Sequence, residues 1–347
     1  MDGTDEVLVL AEVTRGGPED VLEGILHCPA ARCRQEYPIL DGIPLIVPRV
    51  RAYVQDNLPH LLSRSDITPL LEGLIGDCCG PGSALDATRQ YLSSYGVGHY
   101  DDLDPETPSS GAGSVLDLLE RGLELAEPLL PGPTLDVGCA VGRPAFELAA
   151  RQQGLVLGVD LNFAMLRVAS RALREGIASY PRRRVGLVYD RREVPIDRPG
   201  AKRLDFWACD ALALPFADDT FALTTSLNVL DCVADPRQHL STLGRVLKPG
   251  GKVILSSPYD WSPGATPVES WLGGHSQRGG EGGSSEALLR ALLSPGAHEA
   301  SIPTLRLFAE AEALPWTVRI HDRYSASYSV HLVVAEALQD PDGPQSG

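Results

Sequence analysis

The chain has 347 residues, with 30 lysines and arginines against 46 aspartates and glutamates, a formal net charge of −16. This length accommodates one catalytic domain of about 200 residues and a smaller module. Affinity for nucleic acid comes largely from lysine and arginine, so we expect no nucleic-acid partner. No apolar run reaches the about 20 residues that span a bilayer, and the N-terminus is acidic, so we expect no membrane partner and a cytoplasmic location.

Residues 1–50 predict a small β-rich module. Its most specific stretch, Tyr37 to Ile46, reads Y-P-I-L-D-G-I-P-L-I, and Cys28 and Cys33 precede it. This stretch resembles a Trm112-like zinc-ribbon module. A structural zinc needs four ligands, usually from two C-x2-C pairs. Here one C-x4-C pair and His27 leave the fourth ligand missing. We therefore expect a relic that has lost its metal, with a zinc site as the alternative.

Residues 51–114 predict helices that lead to the next domain. Tyr91 and Tyr95 stand at positions i and i+4 of one helix, with His99 and Tyr100 close behind. Such a helical stripe can simply pack on the core. It can equally fold over an active site as a lid, and in that case Tyr95, His99 and Tyr100 contact the substrate.

A glycine turn between two buried strands is the most informative feature. The predicted order is a strand ending at Val137, the turn Gly138 to Gly142, a helix over about Pro144 to Gln152, and the strand Val156 to Val159 ending at Asp160. Glycines let the backbone approach a ligand closely, and the following helix offers its N-terminus. An acid after the second strand can accept both hydroxyls of a ribose. These residues predict a nucleotide-like cofactor.

The kind of cofactor follows from Asp136, two residues before the first glycine. A carboxylate there would repel the pyrophosphate of a dinucleotide, whereas it suits a cation. The arrangement resembles motif I of the S-adenosylmethionine-dependent methyltransferases, whose ligand carries a sulfonium and an ammonium; a glycine turn without a ligand is the alternative. The resemblance implies that S-adenosylmethionine is bound by Asp136, Gly138, Cys139, Gly142, Asp160, Leu161, Asp210, Ala211 and Asn228.

Basic residues cluster at one place, Arg182 to Arg184 with Arg191 and Arg192. Runs of charge usually lie on solvated surface. We expect a solvated loop here.

Later elements follow the same family order. A strand ends at Asp210, the apolar strand Ala222 to Leu227 follows, and a helix from Pro236 to Leu247 ends at breakers before the strand Lys252 to Ser256. The run L-K-P-G-G-K-V-I-L again resembles these methyltransferases. The resemblance implies an α/β fold: a Rossmann-like seven-stranded class I methyltransferase sheet with helices on both faces over residues 115–338, before a disordered tail, residues 339–347.

Two further blocks concern the substrate. The first runs from Ser226 to Pro236, after the fourth strand, where open α/β sheets bind ligands. The second contains S-P-Y-D-W and T-P-V-E-S-W-L-G-G, after the fifth strand. Both resemble the methyltransferase domain of ovothiol synthases, which methylates an imidazole nitrogen of a thiol-bearing histidine. The resemblance implies that Asn228 and Asp231 contact the imidazole.

The chemistry is consistent with those two residues as the catalytic pair. Neutral imidazole, with a pKa of about 6.5, is already nucleophilic near pH 7, so no strong base is required. A carboxylate that accepts the opposite ring N–H fixes the tautomer and stabilises the developing cation. We assign this role to Asp231, with Asn228 orienting the ring. A helix N-cap or a solvated loop acid is the alternative for Asp231.

An insertion at residues 261–300 is expected on the substrate side, with a mobile flap from Gly273 to Ser285. The two tryptophans of this region can instead seal a core. Two antiparallel strands, Trp316 to His321 and Ser325 to Ala335, are expected to end the sheet. The residues predicted to line the substrate pocket are Tyr259, Trp261, Glu269, Trp271 and Tyr328.

These features predict an S-adenosylmethionine-dependent N-methyltransferase. Its substrate would be a small histidine derivative, 5-thiohistidine or 5-selenohistidine, as in ovothiol-type biosynthesis. The alternatives are a methyltransferase of another small metabolite or of RNA, and a scaffold without turnover. Acidity argues against RNA, and the intact acids Asp136, Asp160 and Asp210 argue against a scaffold.

Overall fold

The computed structural model describes residues 7–17, 19–63, 67–106 and 114–338, without the side chains of residues 280 and 281. The predicted tail 339–347 lies outside this range. No helix in the described ranges is both long enough and apolar enough to cross a bilayer.

The N-terminal module is a small antiparallel sheet, as predicted. A tight turn at Asp41 and Gly42, both with positive φ (50° and 75°), joins its last two strands. Positive φ at both central positions is the hairpin geometry that an Asp-Gly pair favours. The strands are β1 (Val9–Gly17), β2 (Asp20–His27), β3 (Glu36–Leu40) and β4 (Ile43–Pro44), in that order across the sheet.

Three helices follow the module, as expected for residues 51–114. Thr68 and Ser83 begin the second and third of them, each accepting a hydrogen bond from a backbone amide of the first turn. Such caps satisfy amide groups that the helix itself leaves without partners. The helices are α1 (Val50–Leu61), α2 (Pro69–Cys79) and α3 (Ala84–Tyr100).

The larger, C-terminal half, the predicted catalytic half, is built on a seven-stranded mixed sheet, confirming the predicted fold class. The strands are β5 (Thr134–Val137), β6 (Val156–Asp160), β9 (Leu204–Ala208), β10 (Phe221–Leu227), β11 (Leu247–Ser257), β12 (Leu305–His321) and β13 (Tyr324–Ala337). Their order across the sheet is β12-β13-β11-β10-β5-β6-β9, and every pair from β11 to β9 is parallel, whereas β12 and β13 run antiparallel. Parallel strands place all their carboxyl ends at one edge, where ligands bind.

Helices cover both faces of this sheet. Alternate residues of β11 point to opposite sides: Ile254 joins the core cluster that contains Leu118 and Leu166, whereas Leu255 joins the cluster with Leu240 and Leu289. This is the period-two pattern of a strand buried on both faces. The helices are α4 (Val115–Ala126), α5 (Arg143–Arg151), α6 (Phe163–Glu175), α7 (Pro236–Val246) and α8 (Ser285–Leu292).

Boundaries predicted from local signals agree with the structure within about one residue for α5 and α7. The strand predicted from Lys252 to Ser256 is longer, because Leu247 already pairs with Phe221. The register then shifts, so that Lys252 pairs with Leu223 and the residues between them bulge out of the ladder. The last two strands are also longer than predicted.

The arginine cluster does not form a solvated loop, so that prediction was wrong. It lies on a two-stranded hairpin, β7 (Ile177–Val185) and β8 (Val188–Pro195). Arg192 pairs with Asp104 and Glu106, and Arg191 pairs with Glu72 on α2. Both Arg191 and Arg192 meet carboxylates that are distant in sequence, which no local pattern reveals. The hairpin thus ties the helical segment to the catalytic half.

The N-terminal module docks against the edge of the large sheet. Leu45 forms a parallel bridge with Ala208, and the Ile46 amide donates to the Ala208 carbonyl at 2.9 Å. The Asp41 carboxylate accepts from Arg167 of α6 at 2.8 Å. The module therefore covers the β9 edge, which would otherwise expose unpaired backbone groups.

Replacement of Arg192 tests the hairpin. The Asp104 side chain is only 1% exposed, so Arg192→Met removes the charge partner of a buried carboxylate. We expect the free energy of unfolding to fall by about 3 kcal/mol, measured by urea denaturation. Arg121→Met is the control, because its exposed pair with Glu124 is worth under about 1 kcal/mol. Equal losses in the two variants would contradict this account.

Candidate active site

The glycine turn requires glycine at both predicted positions. Gly138 has φ of 75°, and a Cβ there would lie 2.4 Å from Cγ2 of Val229. Gly142 has φ of 93°, and a Cβ there would lie 2.8 Å from the Cβ of Ala169. Both contacts are far inside van der Waals distance, and both φ values disfavour side chains. The turn therefore keeps its backbone open on the ligand side, and Cys139 between the glycines is buried.

Asp160, at the end of β6, holds this turn. Its carboxylate accepts from the backbone amides of Ala140 at 2.9 Å and Asn162 at 2.8 Å. Burial raises the pKa of Asp160. Leu161, which follows it, has a half-exposed side chain, and its carbonyl accepts from the Tyr53 hydroxyl of α1 at 2.8 Å.

Asp136 is a buried carboxylate whose two oxygens differ in their hydrogen bonding. One accepts from the Thr225 hydroxyl at 2.6 Å, whereas the other is buried without a hydrogen-bond partner. Burial raises the pKa of Asp136 to about 7. A ligand ammonium would supply the missing donor and the compensating charge. Asp136 therefore fits the cationic donor predicted from the sequence.

Two more predicted cofactor residues lie just beyond β9. The Asp210 carboxylate accepts from the Leu212 amide at 2.9 Å, and Ala211 is half-buried beside it. The Cys209 amide donates to the Asp160 carbonyl at 3.1 Å, which joins this segment to the end of β6. Asp136, Asp160 and Asp210 thus lie at the carboxyl edge of three neighbouring strands.

Asn228 ends β10 in a left-handed conformation, with φ of 55°. Its Oδ1 accepts from the Ser256 hydroxyl at 2.8 Å, and its Nδ2 is buried without a partner. A positive φ on a residue other than glycine is uncommon and concentrates at functional sites. The amide is therefore fixed on one side and offers an N–H donor on the other.

Asp231 lies in the short helical turn Leu230–Cys232 and is buried, with 4% of its surface exposed. The Ser257 hydroxyl donates to one carboxylate oxygen at 3.1 Å, and the Asp260 amide donates to the other at 2.9 Å. Burial raises the pKa of Asp231. The N-cap of α7 is Asp235, not Asp231, and Asp231 is not solvated, so neither alternative explanation of this acid applies.

Two tyrosines from distant elements lie near this acid. Burial raises the pKa of the Tyr95 hydroxyl, and the neighbouring Cys232, Asp160 and Asp231 add to the shift. The Tyr328 hydroxyl of β13 donates at 3.2 Å to Asp260, whose amide donates to Asp231. A contact of Tyr95 and Tyr328 with a substrate stays a prediction.

His99 and Tyr100, also predicted to contact substrate, are enclosed in the core instead. The Tyr100 hydroxyl donates to the Val141 carbonyl of the glycine turn at 2.7 Å. Burial lowers the pKa of His99 to about 3, and its carbonyl accepts from Arg143 at 3.3 Å. These residues support the turn from behind, because helix α3 packs with this face inward.

The substrate-side insertion brings its aromatic residues together. Trp261 and Trp271 stack with ring centroids 6.1 Å apart, and Trp261 packs partly on the core. Their indole N–H groups donate to Ser285 and to the Thr266 carbonyl. Glu269 lies exposed on a short helical turn, apart from the rings. The stretch Gly273 to Ser285 is closed by a hydrogen bond from Gly274 to Gly283, and α8 follows it.

Side chains able to hold a metal come together at one place among the described residues. Glu310, Glu312 and His331 form this cluster, and Cys28 and Cys33 are not part of it. Arg290 pairs with both glutamates, and both ring nitrogens of His331 have hydrogen-bond partners. The atoms of this cluster that could bind a metal therefore already form ion pairs or hydrogen bonds within the protein.

Several residues of the site were not predicted from the sequence. Tyr53 reaches the cofactor edge from α1, and Ser257 with the Asp260 amide holds Asp231. The motif S-P-Y-D-W contained the last two, but nothing in it indicated a partner at Asp231. Cys232 is exposed directly beside Asp231.

Comparison with known proteins gives the class of the domain. Residues 135–255 match the family described as "Methyltransferase domain", a range that runs from β5 to β11 and includes the glycine turn. This part of the chain is a class I S-adenosylmethionine-dependent methyltransferase domain, and S-adenosylmethionine is its methyl donor.

Curated relatives cover part of the chain. "Methyltransferase GfsG" of Streptomyces halstedii is 28% identical over 160 residues, 46% of this chain and 49% of that protein. "Demethylmenaquinone methyltransferase" of Shouchella clausii (strain KSM-K16) is 34% identical over 122 residues, 35% of this chain and 42% of that protein. The chain thus spans about half the length of the curated relatives it matches.

Among solved structures, phosphoethanolamine N-methyltransferase 2 of Haemonchus contortus, in complex with S-adenosyl-L-methionine, is 25% identical with a TM-score of 0.35. The similarity covers 49% of this chain and 35% of that chain.

Asp136 makes donor binding depend on pH. We expect Asp136→Asn to weaken S-adenosylmethionine binding about 10- to 100-fold at pH 8, where the native carboxylate is charged, because a hydrogen bond to a charged group is worth about 1.5–3 kcal/mol. As pH falls through the raised pKa of about 7, the native carboxylate is neutralised. The affinity ratio between native protein and variant should then shrink about tenfold by pH 6. Calorimetry at pH 8 and pH 6 measures this affinity ratio. A ratio that does not change with pH would contradict a charged contact between Asp136 and S-adenosylmethionine.

Proposed function

We propose that the protein transfers a methyl group from S-adenosylmethionine to a ring nitrogen of a small imidazole, a histidine derivative such as 5-thiohistidine or 5-selenohistidine. One observation supports this most. The segment after β10 carries both a buried carboxylate, Asp231, and the Asn228 amide, whose Nδ2 has no hydrogen-bond partner, and its Val229 packs against Gly138 of the glycine turn. When bound, the sulfonium supplies an electrophilic methyl group. The protein then has to align a nucleophile about 3 Å from it.

Asp231 can accept a ring N–H although both its oxygens are already hydrogen-bonded. A carboxylate has about four lone-pair sites, and Ser257 and the Asp260 amide occupy two. The imidazole N–H opposite the reacting nitrogen would take a third. As the second nitrogen is alkylated the ring becomes cationic, and the Asp231 carboxylate stabilises that charge in a site with little water.

Asn228 complements this contact. Its Oδ1 is held by Ser256, so its Nδ2 points a donor at a fixed angle. A thiolate or selenolate on the ring would accept that hydrogen bond. The amide would then set the rotation of the ring while Asp231 sets its tautomer.

The side chains around Asp231 favour an N–H donor of the acceptor at this point of the site. Tyr95, Tyr328 and Asp260 are aromatic or acidic, and Cys232 is a thiol. A phosphate placed directly against Asp231 would need arginine or lysine there. The arginines of the β7–β8 hairpin pair with acids of the protein itself, which also argues against RNA.

A second candidate is a different small amine. Phosphoethanolamine N-methyltransferase 1 of Triticum aestivum is 29% identical over 146 residues, and an amine nitrogen would suit the same acids. We further propose that the N-terminal module is a Trm112-like segment with a structural role. Its docking on α6 and on the β9 edge supports that role.

A panel of acceptors separates these candidates. The protein is incubated with S-adenosylmethionine carrying a labelled methyl group and, separately, with histidine, carnosine, 5-thiohistidine, 5-selenohistidine, phosphoethanolamine and transfer RNA. We expect label in the two chalcogen-bearing histidines, on a ring nitrogen. Label confined to phosphoethanolamine or to RNA would refute the imidazole proposal.

Asp231→Asn tests the mechanism. We expect donor affinity to stay within about twofold, because Asp136 and Asp160 are unchanged, and kcat to fall about 10- to 1000-fold, because the developing cation loses a charged contact worth about 1.5–4 kcal/mol. Steady-state kinetics and calorimetry measure the two effects. Asp218→Asn, a change at an exposed acid paired with Arg245, is the control. Native kcat in Asp231→Asn would exclude Asp231 from the reaction.

A further inference from the structure

A chain of hydrogen bonds runs from the antiparallel strands to the segment 257–260, which donates two hydrogen bonds to Asp231. Tyr259 lies between Ser257 and Asp260, the two residues that donate to the Asp231 carboxylate. Its backbone is left-handed, with φ of 54°. Such a conformation costs a bulky residue free energy and persists only where surrounding contacts enforce it.

Two hydrogen bonds of Tyr259 enforce this conformation. The Tyr259 amide donates to the Ser257 hydroxyl oxygen at 3.0 Å, which closes the backbone turn. At the other end of the residue, the Tyr259 hydroxyl lies 2.7 Å from Nδ1 of His331. In the ladder between β11 and β13, His331 is the direct partner of Ser257. His331, which contacts the Tyr259 hydroxyl, and Ser257, which donates to Asp231, are therefore neighbours on one sheet.

The direction of these bonds follows from Glu310. His331 is buried, and its Nε2 lies 3.0 Å from the Glu310 carboxylate. Burial alone would raise the pKa of Glu310, but the hydrogen bonds from Arg290 and His331 hold it below its usual range. An ionised carboxylate only accepts. The Nε2–H of His331 therefore donates to Glu310, which leaves Nδ1 to accept from the Tyr259 hydroxyl.

We propose that His331, oriented by Glu310, is a positioning residue: through the Tyr259 hydroxyl it fixes the left-handed turn that presents Ser257 and the Asp260 amide to Asp231. This inference deepens the proposed function and rests on it for the kinetic part. His331 itself does not contact the acceptor. It affects the rate through the orientation of the Asp231 carboxylate, because small errors in the alignment of reacting groups slow methyl transfer.

His331→Leu and His331→Asn test the proposal as a matched pair. Leucine removes the acceptor, whereas the Oδ1 of asparagine can occupy the place of Nδ1 and accept from Tyr259. We expect His331→Leu to lower kcat about tenfold with KM for S-adenosylmethionine unchanged, and His331→Asn to stay within about threefold of the native kcat. Tyr259→Phe should resemble His331→Leu. His298→Leu, at an exposed histidine, is the control.

A second measurement does not depend on the acceptor. Hydrogen exchange of the Asp260 amide, followed by NMR, reports whether its bond to Asp231 survives. We expect faster exchange in His331→Leu and Tyr259→Phe, and native exchange in His331→Asn. If no imidazole is methylated but this exchange pattern is observed, the proposed function is wrong, whereas the role of His331 in positioning the turn is supported. Native exchange in His331→Leu, or a His331→Asn variant as defective as His331→Leu, would overturn the proposal.

Discussion

One buried carboxylate constrains the catalytic half of this protein. Asp136 has one oxygen bonded to Thr225 and one without any donor, enclosed by the sheet. A charge in that position is costly unless a cation compensates it, and the burial raises its pKa accordingly. The architecture of strand, glycine turn and helix thus leaves a specific electrostatic requirement that a sulfonium and ammonium ligand can meet.

Two contacts hold the turn beside Asp136, and a third holds the residue that follows β6. Asp160 accepts from the Ala140 amide and Tyr100 donates to the Val141 carbonyl, both within the turn, whereas Tyr53 of α1 donates to the carbonyl of Leu161. Helices α1 and α3 come from the segment predicted as a lid. They therefore do more than cover the site, since they fix the backbone that faces the donor. The β7–β8 hairpin adds salt bridges that hold α2 and the end of α3 in place.

The sequence allowed the local features to be predicted well. Glycine spacing, the acids at strand ends and the breakers after helices depend on short-range backbone rules, so β5, α5, β6 and α7 appear where expected. What could not be predicted depends on partners distant in the chain. The arginines of the hairpin looked like solvated charge, because the acids that pair with Arg191 and Arg192, namely Glu72, Asp104 and Glu106, lie 86 to 119 residues away in the chain.

Side-chain direction was the second limit. Tyr95 and Tyr100 lie on one helix, yet Tyr95 lies near Asp160 and Asp231 whereas Tyr100 packs behind the glycine turn, because the rotation of α3 on the core is set by tertiary packing. The same holds for Asp231. A role for Asp231 was predicted from the sequence, but the two groups that donate to it and their contact with β13 depend on the pairing of Ser257 with His331, which no local pattern encodes.

The charge of Asp136 is measured most directly by counting protons. Calorimetry of S-adenosylmethionine binding at pH 7, in buffers of different ionisation enthalpy, gives the protons released. With a pKa of about 7 for the free carboxyl, the native protein should release about half a proton more than Asp136→Asn, since the ligand cation forces full ionisation. Equal proton release by the two proteins would contradict the account.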